Sequence, residues 1–358
     1  MYSVVMAGGS GTRFWPYSRK QRPKQLLNIT GREPMVVETC NRLLPISRDE
    51  EVIIILGESH YEETVSLFSE RKLNILAEPM GRNTAPCIGL GALYARYLGC
   101  DEPVAFLPAD HFIGDVPAFI KCLEQAGKAS REGGIVTLGI VPSRPETGYG
   151  YIRRSNEDPG SDDDKKFKVS AFVEKPDLDK AMEYLKSGDY YWNAGIFVAT
   201  PETILREMEI CLPDTYNSLI RLEPHFNSPD FKERFIEVYS EITSESFDYG
   251  IMEKTKVEVS VIPCECGWSD VGSWESLYEL RADAYDSNEN YSNGDTLLTG
   301  CEGSYVAAMG NRFVACLGLK NCIVIDRDDA LLVADMKKSQ DIKRIVDELK
   351  KRKREDLL

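Results

Sequence analysis

An α/β fold, with a mostly parallel β-sheet flanked on both faces by helices and a small β-rich segment after it, is what this 358-residue sequence predicts. Two observations carry the prediction: short apolar runs alternate with helix-period stretches over the first 280 residues, and the texture changes beyond residue 290. Residues 3–7, 52–56, 104–107, 135–140, 168–173 and 196–199 read as buried strands. Between them, Leu178, Ala181, Met182 and Leu185 form the clearest helical stripe. Asp177 and Asp179 stand at its start, and Lys186 and Gly188 close it. Ligands of such sheets sit at the carboxyl ends of the strands.

The polar stretch 156–166 (NEDPGSDDDKK) reads as a solvated loop without function. The turn-rich stretch 286–295 (DSNENYSNGD) marks the best boundary, giving domains at 1–285 and 290–358. Past it, RFVACLGL, NCIVID and ALLVAD, spaced by glycines and polar turns, predict a small stack of β-rungs. A terminal helix follows, with Ser339 as its cap and Ile342, Ile345, Val346 and Leu349 as its apolar face. Its closing KKRKR fits the cation preference of a helix C-terminus.

Composition narrows the function classes. The hydrophobic share is 42% and the charged share 28%, ordinary for a soluble globular chain. No apolar run is long enough to span a bilayer, and the start MYSVVMAGG reads as a core strand and not a secretion signal. Ten scattered cysteines without a zinc-type pairing predict reduced thiols and a cytoplasmic setting. A net charge of -15 argues against a nucleic-acid partner. Yet residues 1–32 hold Arg13, Arg19, Lys20, Arg22, Lys24 and Arg32 and no carboxylate. A basic island in an acidic chain predicts a local anion site.

That island surrounds Gly8-Gly9-Ser10-Gly11-Thr12-Arg13, directly after the first strand. Glycines and small hydroxyl residues let backbone N–H groups face an anion, and Arg13 adds a guanidinium. The loop lacks the Gly-Lys-Ser/Thr ending of a P-loop, and Phe14 stands where a dinucleotide fingerprint needs glycine. By itself the loop says only that phosphate binds.

AGGSGTRFWP followed by Arg22-Pro23-Lys24-Gln25 resembles the signature of the sugar-1-phosphate nucleotidylyltransferases. AEPMGRNTAP (77–86), FLPADH (106–111), ETGYGYI (146–152), FVEKP (172–176), WNAGIF (192–197), FDYGIMEK (247–254) and GWSDVGSW (267–274) are similar to the mannose-1-phosphate guanylyltransferase branch, in order, over roughly residues 1–280. The resemblance implies the Rossmann-like nucleotidylyltransferase fold, GTP and mannose 1-phosphate as substrates, and Mg²⁺ as cofactor. It implies that Gly8, Gly9, Ser10, Gly11 and Thr12 wrap the triphosphate while Arg13 and Lys24 contact it. It gives Asp110 and Asp270 as metal ligands and Lys175 as the sugar-phosphate lysine. Glu174, Asn193 and Gly150 then meet the sugar, and Asn83 and Thr84 meet the base. Asp248 is left open between metal support and helix capping. A different sugar-phosphate and nucleotide pair, or a non-catalytic homologue, are the competing readings. The segment after 290 implies homodimer contacts and, being too short for a cupin-like barrel, no isomerase activity.

The chemistry fits the side chains. The attacking oxygen of a sugar phosphate is already an anion, so the reaction needs positioning and cations before it needs a general base. The three histidines, His60, His111 and His225, accordingly form no evident catalytic constellation in the sequence.

Overall fold

The computed structural model describes residues 1–9, 11–155 and 165–358. The predicted triphosphate contact Ser10 and most of the predicted 156–166 loop lie outside the described residues. The chain forms two compact units that are not consecutive in sequence. The first comprises Met1–Gly8, Thr39–Ala109 and Ile113–Trp268; the second comprises Gly9–Glu38, Asp110–Phe112 and Ser269–Leu358.

The first unit is built on a nine-stranded sheet. Its strands are β1 (Ser3–Met6), β2 (Val52–Gly57), β3 (Asn74–Glu78), β4 (Val104–Pro108), β5 (Ile135–Ile140), β6 (Tyr151–Arg154), β7 (Phe167–Val173), β8 (Tyr190–Ala199) and β9 (Val259–Cys264). Their order is β3-β2-β1-β4-β8-β5-β9-β7-β6. β3, β2, β1 and β4 are parallel, as strand–helix alternation requires. The other half is mixed, because β8 runs antiparallel to β4, β5 and β6. Only the apolar end of β8 was legible, since Asn193 and Gly195 interrupt the apolar pattern before it. The register with β5 shifts between Thr137 and Gly139, the local irregularity expected of a bulge.

Val4, Ile53, Ile55 and Phe106 are fully buried, and the helix Thr84–Tyr97 packs in the same cluster. That helix is apolar on nearly every face, with ten buried residues from Ala85 to Ala95, so it is a core helix and not an amphipathic one. The helix Leu178–Ser187 begins at Asp177, whose carboxylate accepts from the Lys180 N–H, and ends at Gly188 with φ 70°. Both ends are as expected, but Leu178 and Met182 are about half exposed and only Ala181 is buried. Leu185 is half-buried, so the stripe turns only its alanine fully inward.

The second unit holds the predicted β-rungs. β10 (Tyr291–Asn293), β12 (Tyr305–Ala308) and β14 (Cys322–Asp326) pair in parallel, and β15 (Leu331–Asp335) returns antiparallel to β14. β11 (Thr296–Thr299) pairs with β13 (Val314–Leu317). The boundary stretch is a tied turn: Asp286 Oδ1 accepts from the Asn288 and Asn290 N–H groups at 2.8 Å each. Asn290 Nδ2 reaches the Cys301 carbonyl at 2.9 Å.

This unit also contains the glycine-loop segment. Phe14, Trp15, Met35, Trp274, Tyr305, Ile342 and Val346 share one core. Phe14 meets the Trp274 ring edge-on at 5.1 Å, and Trp15 Nε1 donates to the Leu357 carbonyl at 2.8 Å. The terminal helix, Lys343–Lys351, is preceded by a 3₁₀ turn, Met336–Ile342. Ser339 does not cap the helix: it is buried in that turn and its hydroxyl donates to Glu275 at 3.2 Å, while Asp335 caps the turn instead. Ile342 and Val346 are buried as predicted, whereas Ile345 is 37% exposed.

Candidate active site

Within the second unit, the glycine loop, Asp110 and Asp270 border one cavity of about 330 Å³. Asp110 comes two residues after β4. Phe112 and Ser269 then exchange backbone hydrogen bonds at 2.9 and 3.1 Å, which brings the Asp110 segment alongside the Asp270 turn. That turn is tight. Val271 has φ 44°, an outlier for a β-branched residue, and Asp270 Oδ1 accepts from the Gly272 N–H at 3.0 Å.

Lys24 ties these pieces together. Its side chain is 7% exposed. Its ammonium donates to Asp110 Oδ2 at 2.8 Å, to the Asp110 carbonyl at 2.8 Å and to the Asp270 carbonyl at 2.6 Å. An ammonium has three protons, and all three are used inside the protein. Burial works to raise the Asp110 carboxyl, but the Lys24 charge, with His111 and the Lys24 hydrogen bond, outweighs it. The carboxyl therefore lies below its ordinary value.

The glycines divide the labour. Gly11 has φ 55°, and a Cβ there would lie 2.6 Å from Lys24 Cβ. The passage of Lys24 leaves no room for a side chain there. Gly8 and Gly9 are exposed and would meet nothing within 4 Å, so they leave open space on the loop. Thr12 and Arg13 line the cavity, and Arg13 is exposed. Four further cavity residues, Phe14, His111, Gly272 and Lys343, were not among the candidates, and two of them carry polar side chains. His111 sits beside Asp110 in a matched motif and was within reach; Lys343 lies on the terminal helix, where no spacing connects it to the loop.

Among the described residues, no group of three or more His, Cys, Asp or Glu side chains could hold a metal ion. Two carboxylates on one cavity nevertheless suit a cation such as Mg²⁺, which binds one or two carboxylates and completes its shell with phosphates and waters.

The first unit holds the other candidates. Gly150, Glu174 and Asn193 meet: a Cβ on Gly150 would lie 2.5 Å from Glu174 Oε2 and 3.4 Å from Asn193 Cβ, so only glycine leaves the carboxylate its place. The Gly150 carbonyl accepts from the Asn193 N–H at 2.8 Å, and Asn193 Oδ1 accepts from the Gly195 N–H at 2.9 Å. Lys175, with φ 45°, donates to Glu174 Oε1 at 2.5 Å and stays 61% exposed.

Asp248 resolves as a partner of Asn193, whose Nδ2 donates to Asp248 Oδ1 at 2.7 Å. It is the first residue of the helical turn Asp248–Met252 and not its N-cap, which is Phe247. Burial raises its carboxyl above the ordinary value, against the pull of Asn193. The adjacent Phe247 N–H donates to Thr84 Oγ1 at 2.8 Å. Consecutive residues thus tie the candidate base contact Thr84 to the candidate sugar contact Asn193. Asn83, with φ 69°, caps the helix Thr84–Tyr97 by accepting from the Thr84 N–H at 2.9 Å. Nearby, the buried Glu78 accepts from Tyr239 Oη at 3.0 Å.

Comparison with known proteins agrees with this architecture. The family described as Nucleotidyl transferase matches residues 2–287, and the MannoseP isomerase/GMP-like beta-helix domain matches residues 301–349. The chain is 40% identical over 358 residues to the mannose-1-phosphate guanylyltransferase RfbM of Salmonella typhimurium, covering 99% of this chain and 73% of that one. It is also 40% identical to the mannose-1-phosphate guanylyltransferase of Escherichia coli K12, covering 98% and 73%. Among solved structures, one described as mannose-1-phosphate geranyltransferase from Thermus thermophilus is 33% identical with a TM-score of 0.86, covering 98% of this chain and 99% of that one.

Burial pushes the Glu78 carboxyl from 4.5 up to about 7, the Tyr239 hydroxyl pulling it part of the way back. A raised folded-state value means the protonated form stabilises the fold. That contribution is complete below about pH 4.5 and is lost as pH rises through about 7. Urea unfolding of wild type and Glu78→Gln at pH 5 and pH 8 checks this: the wild type loses on the order of 2 kcal/mol more than the variant over this range. Equal losses contradict it.

Proposed function

The chain belongs to the nucleotidyl transferase family, and from that premise we propose that it transfers GMP from GTP to α-D-mannose 1-phosphate, giving GDP-mannose and pyrophosphate. The observation that carries the reading is the cavity on which the glycine loop, Arg13, Asp110 and Asp270 converge, in a chain whose relatives of similar sequence carry that activity in their names.

A sugar-phosphate oxygen attacks the α-phosphorus, the bond from that phosphorus to the bridging oxygen breaks, and pyrophosphate leaves with the electron pair. No proton has to be removed from the nucleophile, so the work of the protein is to bring two polyanions together. Arg13, Thr12 and the backbone of Gly8, Gly9, Ser10 and Gly11 hold the triphosphate. Mg²⁺, held by Asp110 and Asp270, would neutralise phosphate charge and orient the two phosphate groups. Lys24 contributes a buried positive charge at the same place and fixes the two aspartate segments. It reaches a phosphate only by releasing one of its three internal acceptors.

For the sugar, Glu174 and Asn193 supply hydrogen-bonding edges, Gly150 supplies the room, and Lys175, largely exposed, supplies the cation for the sugar phosphate. Asn83 and Thr84 serve the base at the helix start. Asp248 positions Asn193. Residues 1–285 carry most of the candidate site residues, although the compact units cut across a boundary at 285–290, and the exposed Leu297, Phe313, Leu317, Leu331 and Val333 of the segment 290–358 suit a homodimer contact. No helix among the described residues is long and apolar enough to cross a membrane, in keeping with a cytoplasmic enzyme.

Pyrophosphate release across a matrix of nucleoside triphosphates and sugar 1-phosphates tests the proposal. Turnover with GTP and mannose 1-phosphate well above the other pairs, abolished by chelator, is expected; silence in every combination rejects it. In the same assay Asp110→Asn and Asp270→Asn each lower turnover by at least about a hundredfold, as loss of a preorganised electrostatic group does, with thermal unfolding still cooperative. Near-normal turnover in either removes that residue from the site.

A further inference from the structure

The cavity beside the glycine loop has a cation supplied from the other end of the chain. Lys343, the first residue of the terminal helix, lines it together with Arg13, Lys24, Asp110 and Asp270. The helix is anchored, not loose: Ile342 and Val346, on either side of Lys343, are 2% and 5% exposed and lie in the core that also holds Phe14. The Thr12–Phe14 turn packs against both the helix and the 3₁₀ turn before it.

The other basic residues of this helix, and Arg352 at its C-terminal cap, are committed to carboxylates. Arg344 pairs with Asp341 at 3.2 Å, Lys350 with Asp347 at 3.6 Å, Lys351 with Glu348 at 3.8 Å and Arg352 with Glu348 at 3.0 Å. Lys343 makes no ion pair or hydrogen bond with its side chain among the described residues. Lys24, by contrast, has spent its three protons inside the protein. The cavity therefore contains two carboxylates, one ammonium already committed, and two uncommitted cations, Arg13 and Lys343.

We propose that Lys343 is a phosphate-binding residue for the nucleotide, so that the terminal helix completes the triphosphate site. This rests on the nucleotidyl-transfer reading given above. An ammonium on a flexible stem acts here as a movable point charge. It would gather the distal phosphates of the incoming triphosphate and hold the pyrophosphate as it separates. The small C-terminal segment then has a role in the chemistry of its own protomer in addition to any subunit contact.

Steady-state kinetics of Lys343→Met tests this. The KM for GTP rises roughly five- to twentyfold at low ionic strength, the loss of one charge-assisted hydrogen bond, while the KM for mannose 1-phosphate stays within about twofold. The difference shrinks as salt is added, because the lost interaction is between charges near solvent. Lys343→Arg keeps most of the affinity, and Lys351→Met, on the same helix but away from the cavity, changes neither constant. A GTP KM for Lys343→Met within about twofold of wild type overturns the proposal. Calorimetric binding of inorganic tripolyphosphate separates this from the choice of substrates. If the wild type turns over no pair at all, the guanylyl-transfer reading fails, and weaker tripolyphosphate binding by Lys343→Met still upholds the phosphate contact. Equal binding by the two proteins rejects it.

Discussion

One buried ammonium organises the candidate site of this protein. Lys24 donates its three protons to the Asp110 carboxylate, the Asp110 carbonyl and the Asp270 carbonyl. These acceptors come from segments far apart in the chain, and joining them defines one wall of the cavity. Burying a lone cation would cost several kcal/mol, and here the cost is offset by one opposite charge and two aimed carbonyl dipoles. Much nearby detail follows from seating this group. Gly11 adopts a left-handed conformation where a Cβ would collide with Lys24. Val271 is held at positive φ while its turn presents the Asp270 carbonyl.

The same interaction changes how the charges of the site are apportioned. Lys24 reads in the sequence as a direct triphosphate ligand, one member of a basic island. In the folded chain its charge holds Asp110 ionised and its geometry fixes two loops. The uncommitted cations are Arg13 and Lys343, one from each end of the chain. The cavity thus separates a structural cation, buried and saturated, from exposed ones, the division of labour that the proposed nucleotide site would use.

Strands with continuous apolar runs, such as β2 and β5, were legible to within a residue, because burial on both faces leaves no other composition. The Asp177 and Gly188 ends of the helix Leu178–Ser187 were legible because they depend on local bonds alone. The start of β8 was not: Asn193 and Gly195 break the apolar pattern, and the Asn193 side chain is engaged by the Gly195 N–H and by Asp248 instead of the core. Ser339 was misread for a related reason, since a serine before an apolar stripe looks like a cap unless tertiary packing gives its hydroxyl to Glu275. Candidate residues within one motif lie together in the fold, Glu174 with Lys175 and Asn83 with Thr84. Asp248 needed its bond to Asn193, and Lys343 needed the fold itself, because no periodicity carries information from one end of the chain to the other.

The role of Lys24 requires that it and Asp110 be energetically coupled in the folded protein. A double-mutant cycle of Lys24→Met, Asp110→Asn and the double variant, followed by urea unfolding at neutral pH, measures that coupling directly. The account predicts an interaction energy of at least about 1 kcal/mol, with Lys24→Met alone the more destabilising single change because it also strips the Asp270 carbonyl of its donor. Additive effects, with no coupling beyond error, would contradict it.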